Sequence, residues 1–299
     1  MINGIDIFHG DTVSATLINS LIRSENLYFV FIKSGTGAQG LDAKFVTYWE
    51  MCRSAGLLCG AYHWFWPSSQ PTQQALSFIN QYRKVSRAGV LPPVIDIEWT
   101  WNAGAAQTDR NELWGKVPAN ERIGLIREYC SQVEATINVR PTIYTAFSFW
   151  EEFITPFASA EDNAFFAGCL LWNADPNNRK RIARPWTGLP VPAAFVQTHF
   201  GESGTAGDPF SRLDQDVYSG SLKGLLNSSV PGLTFMKGFP FSNIVKDFQL
   251  ALQNAGWLHD EADGFFGKNT MAAVTKFQEF NGLTGNGVID AQTWNKLLP

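Results

Sequence analysis

Val94-Ile95-Asp96-Ile97-Glu98-Trp99 is the stretch on which the reading of this chain turns. It follows Leu91-Pro92-Pro93 and is rich in β-branched residues, which predicts a short buried strand entered from a turn. Side chains on a strand alternate between faces. Asp96 and Glu98 therefore share one face, and Val94, Ile95 and Ile97 fill the apolar positions around them. Two carboxylates on one side of a buried strand are costly unless they face a polar cleft or share protons and partners. The pattern suits acid-catalysed cleavage of a glycosidic bond, where one carboxyl keeps its proton and a second group stabilises developing positive charge. Taken alone, it equally suits a strand that ends at the surface with its acids capping a nearby helix.

Working outward, other apolar strands surround this one. Gly4-Ile5-Asp6-Ile7-Phe8-His9-Gly10 is a short alternating strand that delivers Asp6 to its end. Leu27 to Lys33 is a second, and its loop Ser34-Gly35-Thr36-Gly37 lacks the lysine and hydroxyl pattern of a phosphate loop. Leu57 to Trp64, Pro141 to Thr145, Cys169 to Ala174, Ala193 to Thr198 and Leu213 to Tyr218 read the same way. Helical spacing is predicted between them, over Asp42–Ala55, over Thr72–Ala88 ended by Gly89, and over Asn120–Asn138. This alternation predicts an α/β fold of parallel β/α units, a (β/α)8-like, irregular barrel of the triose-isomerase type. Polar residues gather where the strands end: Asp6, Lys33, Tyr62, Glu98, Tyr144, Asn173, Gln197 and Asp214. In such barrels the loops converge at the carboxyl ends of the strands, so a polar residue from nearly every strand implies one shared cleft. Thr100–Ala119 is expected to be a long loop forming a lid or cleft wall, with Trp101 and Trp114 as anchors or as sugar platforms. His63 is read as a structural ring near a strand end.

The 299 residues allow a large barrel with an appendage. Eleven Trp and 23 Phe suit a carbohydrate cleft but equally a packed core. A net charge of −4 argues against nucleic acid as a partner. No run is apolar enough over sufficient length to insert in a membrane. The opening residues Met1 to Ile7 read as the first strand rather than a secretory leader, which points to release by a phage-type pore or a secretion machine. Cys52, Cys59, Cys130 and Cys169 lack metal-ligand spacing and are expected as buried free thiols, with a Cys52–Cys59 bridge left open. No metal or other cofactor is implied.

Beyond residue 222 the chain changes character. Residues 223–240 are rich in Ser, Gly and Pro and read as a connector that can still pack on the barrel. Residues 241–299 predict three small helices: one through Val245, Phe248 and Leu252, one over Thr270–Gln278, and one over Asp290–Leu298. Four Lys against six Asp or Glu leave this part acidic, so affinity for an anionic polymer would require a shaped polar groove rather than charge attraction. It holds no paired acids, which points to binding rather than catalysis.

Both parts resemble known families. Gly4-Ile5-Asp6, Ile32-Lys33, Gly60-Ala61-Tyr62-His63, Asp96-Ile97-Glu98, Ile143-Tyr144-Thr145, Leu171-Trp172, Val196-Gln197 and Leu213-Asp214-Gln215-Asp216-Val217-Tyr218 resemble, in that order, the family 25 glycoside hydrolases, the Chalaropsis-type lysozymes. Phe248-Gln249, Asp263-Gly264-Phe265-Phe266-Gly267, Phe277-Gln278, Gly287-Val288-Ile289 and Thr293-Trp294 resemble the three-helix peptidoglycan-binding domain. The resemblance implies a muramidase barrel over 1–222, a linker over 223–240 and a wall-binding module over 241–299 whose deletion spares cleavage of soluble fragments. It implies a monomer acting on bacterial peptidoglycan, with Glu98 as general acid and Asp96 orienting the 2-acetamido group. Asp6 and Asp214 would complete the acid cluster, whose charge would raise the Glu98 pKa. Lys33, Tyr62, Tyr144, Trp172, Gln197 and Asp216 would meet the sugar, with Asp214 favoured over Asp216 for the cleft. The other readings are a silent wall-binding protein and a related glycosidase acting on chitin. Thr36 and Phe8-His9-Gly10-Asp11 depart from the family pattern and bear on subsite contacts.

Overall fold

A computed structural model of the chain describes residues 1–85, 90–100, 112–201 and 208–299. Eight strands close into a barrel: β1 (Ile2–Ile7), β2 (Leu27–Thr36), β4 (Leu58–Trp64), β5 (Val94–Asp96), β6 (Thr142–Ala146), β7 (Leu171–Ala174), β8 (Phe195–His199) and β9 (Asp214–Tyr218). A two-residue strand β3 (Gly40–Leu41) hangs on β2, and pairing of β1 with both β2 and β9 closes the ring. From β1 through β8 the neighbours run parallel. The last strand departs from the expected parallel repeat: β9 runs antiparallel to both β1 and β8. A parallel return needs a long crossover, usually a helix, and among the described residues the β8–β9 connection carries only the short 3-10 turn Pro209–Arg212.

Helices α1 (Ala15–Ser24), α2 (Phe45–Ser54), α3 (Pro71–Tyr82), α4 (Glu112–Lys116), α5 (Ala119–Ile137), α6 (Phe147–Phe153) and α7 (Ala160–Ala167) accompany the barrel. Their ends follow local chemistry. The Ser14 hydroxyl accepts from the Leu17 N–H to start α1, Ser159 and Asp162 form a capping box on α7, and Asn138 closes α5 in the left-handed region. The helix expected over 72–88 ends at Tyr82, and Gly89 lies outside the described residues. Trp101, with the part of the expected lid over 101–111, lies outside them too. The remainder of that stretch holds α4, whose Trp114 is fully buried as an anchor. All four cysteines are buried and free.

Strand alternation divides the barrel residues into two layers. Ile5, Ile7, Val30, Ile32, Ile95, Ile97 and Ile143 pack outward against the helices. Phe29, Phe31, Val94, Trp172 and Phe195 point inward and fill the barrel, with the Phe31 and Trp172 rings stacked at 4.4 Å. Rings this large fit because the facing positions are glycine: a Cβ on Gly4 would sit 2.3 Å from the Phe29 ring, and one on Gly60 2.4 Å from Phe31.

The connector is ordered structure: α8 (Leu222–Ser228) and an antiparallel bridge from Phe235 to Ile289. Helices α9 (Asn243–Asn254), α10 (Lys268–Phe280) and α11 (Ala291–Leu297) form the tail around Phe248, Leu252, Val274, Phe277 and Trp294. Two buried glutamines pin its loops. Gln249 donates to the Phe265 carbonyl and accepts from the Gly264 N–H, and Gln278 donates to the Val288 carbonyl and accepts from the Gly287 N–H. The tail is docked on the amino ends of the strands. The Asn243 amide donates to the carbonyls of Ile22 and Leu27 at 2.8 and 2.9 Å, and the Tyr28 hydroxyl donates to Asp247 at 2.8 Å. Gly56, at a φ of 90°, lets the Phe241 carbonyl approach where a Cβ would lie at 2.3 Å. Among the described residues, no helix is long and apolar enough to cross a membrane.

Candidate active site

At the opposite end of the barrel the carboxyl ends of the strands enclose a cavity of about 270 Å³. Its acids are Asp6, Asp96, Glu98 and Asp214, and Lys33, Tyr62, Tyr144, Trp172 and Gln197 complete most of the wall. The four acids come from three distant segments that meet there because of strand register. Asp6 on β1 lies opposite Asp214 on β9, and Asp96 on β5 lies opposite Trp64 and Tyr144 on its neighbours. The strand proper ends at Asp96, but the Ile97 N–H still bonds to the Tyr144 carbonyl, which carries Glu98 onto the same inward face. The buried Trp114 indole donates to the Glu98 carbonyl at 2.9 Å and fixes the backbone there. A larger hollow of about 700 Å³ lies between the connector and α2, among Arg53, Leu58, Met236 and Phe239, but it has no carboxylate and no link to this chemistry.

Gln197 organises one wall. Its side-chain nitrogen donates to Asp6 at 2.7 Å and to Asp214 at 3.0 Å, while its oxygen accepts from the Tyr144 hydroxyl at 2.6 Å. The Gly201 N–H donates to the other Asp214 oxygen at 2.6 Å. Lys33 spans the mouth, with its ammonium 4.5 Å from the Trp64 ring centre and 5.8 and 5.9 Å from those of Tyr62 and Phe8.

Burial pushes the Glu98 carboxyl up to about 7, with a smaller push from the Asp214 charge and an opposing pull from Lys33. The expected cause is thereby reordered: removal from water dominates, the Lys33 charge opposes it, and of the neighbouring acids Asp214 adds the smallest of the three effects. Burial and the Glu98 charge raise Asp96, whose Oδ1 has no hydrogen-bond partner among the described residues. Burial, with the Asp214 and Asp216 charges, raises Asp6 against the Gln197 hydrogen bond. Burial raises Asp214 too, opposed by the Gly201 N–H, His199 and Gln197.

Asp216 stands apart from the other sequence candidates. It pairs with Gly4, one step deeper in the barrel, is 1% exposed and does not line the cavity. Its carboxylate accepts the Trp172 indole N–H at 2.8 Å, so it supports the aromatic wall from behind instead of facing a ligand. Two lining residues escape the sequence reading, Phe8 and Trp64. Each lies two positions beyond a residue already assigned to the cleft, Asp6 and Tyr62, and period-two alternation carried to the strand end would have found them. His63 faces away from the cavity, stacked at 5.8 Å on Tyr129.

A barrel of this topology with acids converging at the carboxyl ends of its strands, one of them held near neutral pKa, defines a glycosidase-type site. Residues 5–185 match the model of the glycosyl hydrolases family 25, and residues 242–297 match that of a putative peptidoglycan binding domain. The chain belongs to glycosyl hydrolase family 25. It is 33% identical over 124 residues to the uncharacterized protein YegX of Escherichia coli K12, spanning 42% of this chain and 40% of the length of YegX. Over 94% of the chain and 74% of the relative it is 23% identical to the autolytic lysozyme of Clostridium acetobutylicum. The barrel superposes on the family 25 lysozyme of Aspergillus fumigatus with a TM-score of 0.60 at 22% identity, covering 76% of this chain and 98% of that one.

Proposed function

We propose that the chain is a muramidase, hydrolysing the β-1,4 bond from N-acetylmuramic acid to N-acetylglucosamine in bacterial peptidoglycan, and that it acts at the cell wall as a monomer held there by residues 241–299. Glu98 carries the reading: a carboxyl with a pKa of about 7 in an open cleft is still partly protonated at neutral pH. It gives that proton to the leaving O4 of the glucosamine as the bond to the muramic C1 breaks. Asp96, on the same face two residues earlier, orients the 2-acetamido group of the muramic residue and stabilises charge developing at C1. Either that group's oxygen closes on C1 and is then displaced by water, or water attacks C1 directly. In both routes the water supplies the C1 hydroxyl and its proton restores Glu98. Asp6 and Asp214, joined by Gln197, keep the opposite wall polar and positioned. Tyr62, Tyr144, Trp172 and Lys33 supply ring faces and a cation for the sugars. The peptidoglycan-binding match over 242–297 and the family 25 match over the barrel point to one polymer, which supports the assignment.

The test is incubation of purified sacculi with the wild type and with Glu98→Gln, followed by identification of the reducing ends released. Muramic acid ends from the wild type that vanish with Glu98→Gln are the expected result. Release of glucosamine ends, or cleavage confined to chitin, would reject the assignment, and binding without release would leave only a wall-binding protein.

A further inference from the structure

Beside the cleft lies a second groove of about 190 Å³, walled by Trp99, Phe147 and Phe200 and by the side of the loop that carries Arg179 and Arg181. It opens next to the catalytic end of the barrel. Trp99 directly follows Glu98, and Ala146 and Ala174 on its floor lie two residues beyond Tyr144 and Trp172, about 7 Å along each strand. The loop over it reads Arg179-Lys180-Arg181-Ile182-Ala183-Arg184, four exposed cations in six residues of a chain with net charge −4. Elsewhere on the barrel Arg127 is matched to Glu161 and Asp162 and Arg140 to Glu134, while Arg23, Arg53 and Arg83 stand exposed without an ion pair among the described residues. None of the four loop cations forms an ion pair with a carboxylate among the described residues.

The loop is built to hold that charge in place. Asp175, the one acid bordering the groove among the described residues, has both oxygens engaged by the loop backbone, accepting from Arg179 N–H at 2.8 Å and Lys180 N–H at 2.7 Å. The Asp175 N–H bonds to the Gln197 carbonyl, and the buried Asn173 amide donates to the Arg181 carbonyl, tying both ends of the loop to the barrel top. The Arg181 guanidinium stands 5.6 Å over the Phe147 ring, which restrains it at the rim. The result is a preformed hollow with apolar walls, one guanidinium restrained over Phe147 and a second carried on backbone held by Asp175, which is the chemistry that receives a short chain bearing carboxylates.

We infer that this groove takes the peptide stem carried on the lactyl group of the muramic residue, with Arg179 and Arg181 meeting its free carboxylates and Trp99, Phe147 and Phe200 packing on its aliphatic parts. The inference rests on the muramidase reading. The stem leaves the muramic ring at C3, two carbons from the C1 whose bond is cut, so it emerges within one sugar ring of the acid, and this groove opens beside that acid.

The test compares kcat/KM on glycan strands that keep their stems with kcat/KM on the same strands stripped by an amidase. The wild type should favour the stem-bearing strands by about tenfold, the scale of two exposed charge contacts, and the preference should shrink as salt rises. The double variant Arg179→Ala/Arg181→Ala should lose the preference, and Arg179→Lys/Arg181→Lys should keep most of it. A wild type that treats both substrates alike, or an alanine variant that slows both equally, would overturn the groove assignment while muramic acid ends still appear. Absence of muramic acid ends from either substrate would instead overturn the muramidase reading, and this inference with it.

Discussion

The two ends of the barrel treat their polar groups in opposite ways. At the end where the tail docks, Asn243 satisfies two backbone carbonyls at once and Tyr28 is matched to Asp247. At the cleft end, Asp96 keeps an oxygen without a partner among the described residues, and Glu98, Asp96, Asp6 and Asp214 are all held above their ordinary pKa by burial. Burial raises Asp247 at the docking end as well, so the difference lies in partners: hydrogen bonds answer the polar groups there, whereas the cleft gathers four raised acids and leaves one Asp96 oxygen unanswered among the described residues. The same sheet accommodates both because the filled barrel interior, with Phe29, Phe31 and Phe195, lies between them.

The contrast is broken most forcefully at Glu98. Glu98→Gln should lower kcat by about 10²- to 10⁴-fold, the range for loss of a general acid. The same change should make the protein more stable. A carboxyl raised in the folded state from 4.5 to about 7 contributes most below pH 4.5, and that contribution is lost as pH climbs through 7. Unfolding at pH 8 should therefore find Glu98→Gln about 2 kcal/mol more stable than the wild type, with the gap closing below pH 5. A variant that is inactive but no more stable at pH 8 would undo the comparison.

At the other end, Asn243→Ala should cost about 2 kcal/mol, since two buried carbonyls lose their donor, and should leave kcat on soluble fragments unchanged. These contacts also change the outcome expected for removal of 241–299. Truncation should lower the melting temperature of the barrel itself, because Tyr28 and Leu58 belong to the same apolar cluster as Phe235 and Phe248. A truncated barrel melting at the full-length temperature would show the docking to be idle.

A subtler probe is Lys33→Met. Its ammonium is the charge that holds Glu98 down, so its removal should move the alkaline limb of the kcat/KM profile upward from about pH 7 by less than about one unit. A downward movement would contradict the geometry. The smallest effect concerns His63, which burial lowers to about 3. A histidine depressed in the fold leaves stability intact above about pH 6.5 and erodes it as pH falls toward 3. His63→Phe should flatten that acid-side decline while changing stability at pH 7 by less than about 1 kcal/mol, as followed by denaturant unfolding across pH.

What the sequence discloses follows from how local the determining physics is. Period-two alternation placed Asp96 and Glu98 on one face, and the apolar spacing through Phe248 and Leu252 gave the tail helix, because each pattern is complete within a dozen residues. Helix α1 carries an equally local signal, Ser14 before Ile18, Leu21 and Ile22, although it is not among the helices expected above. Helix α7 is short and has one buried residue, Phe166, so it leaves little periodicity to read. The reversal of β9 and the withdrawal of Asp216 behind Trp172 depend on register between strands some two hundred residues apart, which no local window contains. The order of causes behind the Glu98 pKa was hidden for a related reason: depth of burial belongs to the whole barrel, whereas charges can be counted along the chain.

The docked tail sets a constraint on reach. It grips the barrel at the amino ends of the strands, and the acids stand at the carboxyl ends, about 20 Å away through a filled interior. On the proposed reading, the strand that the tail holds and the strand that the cleft admits meet the molecule at its two ends. Two neighbouring strands of a mesh fit that spacing as readily as one strand bent round the barrel, so a moored enzyme has more than one thread within reach.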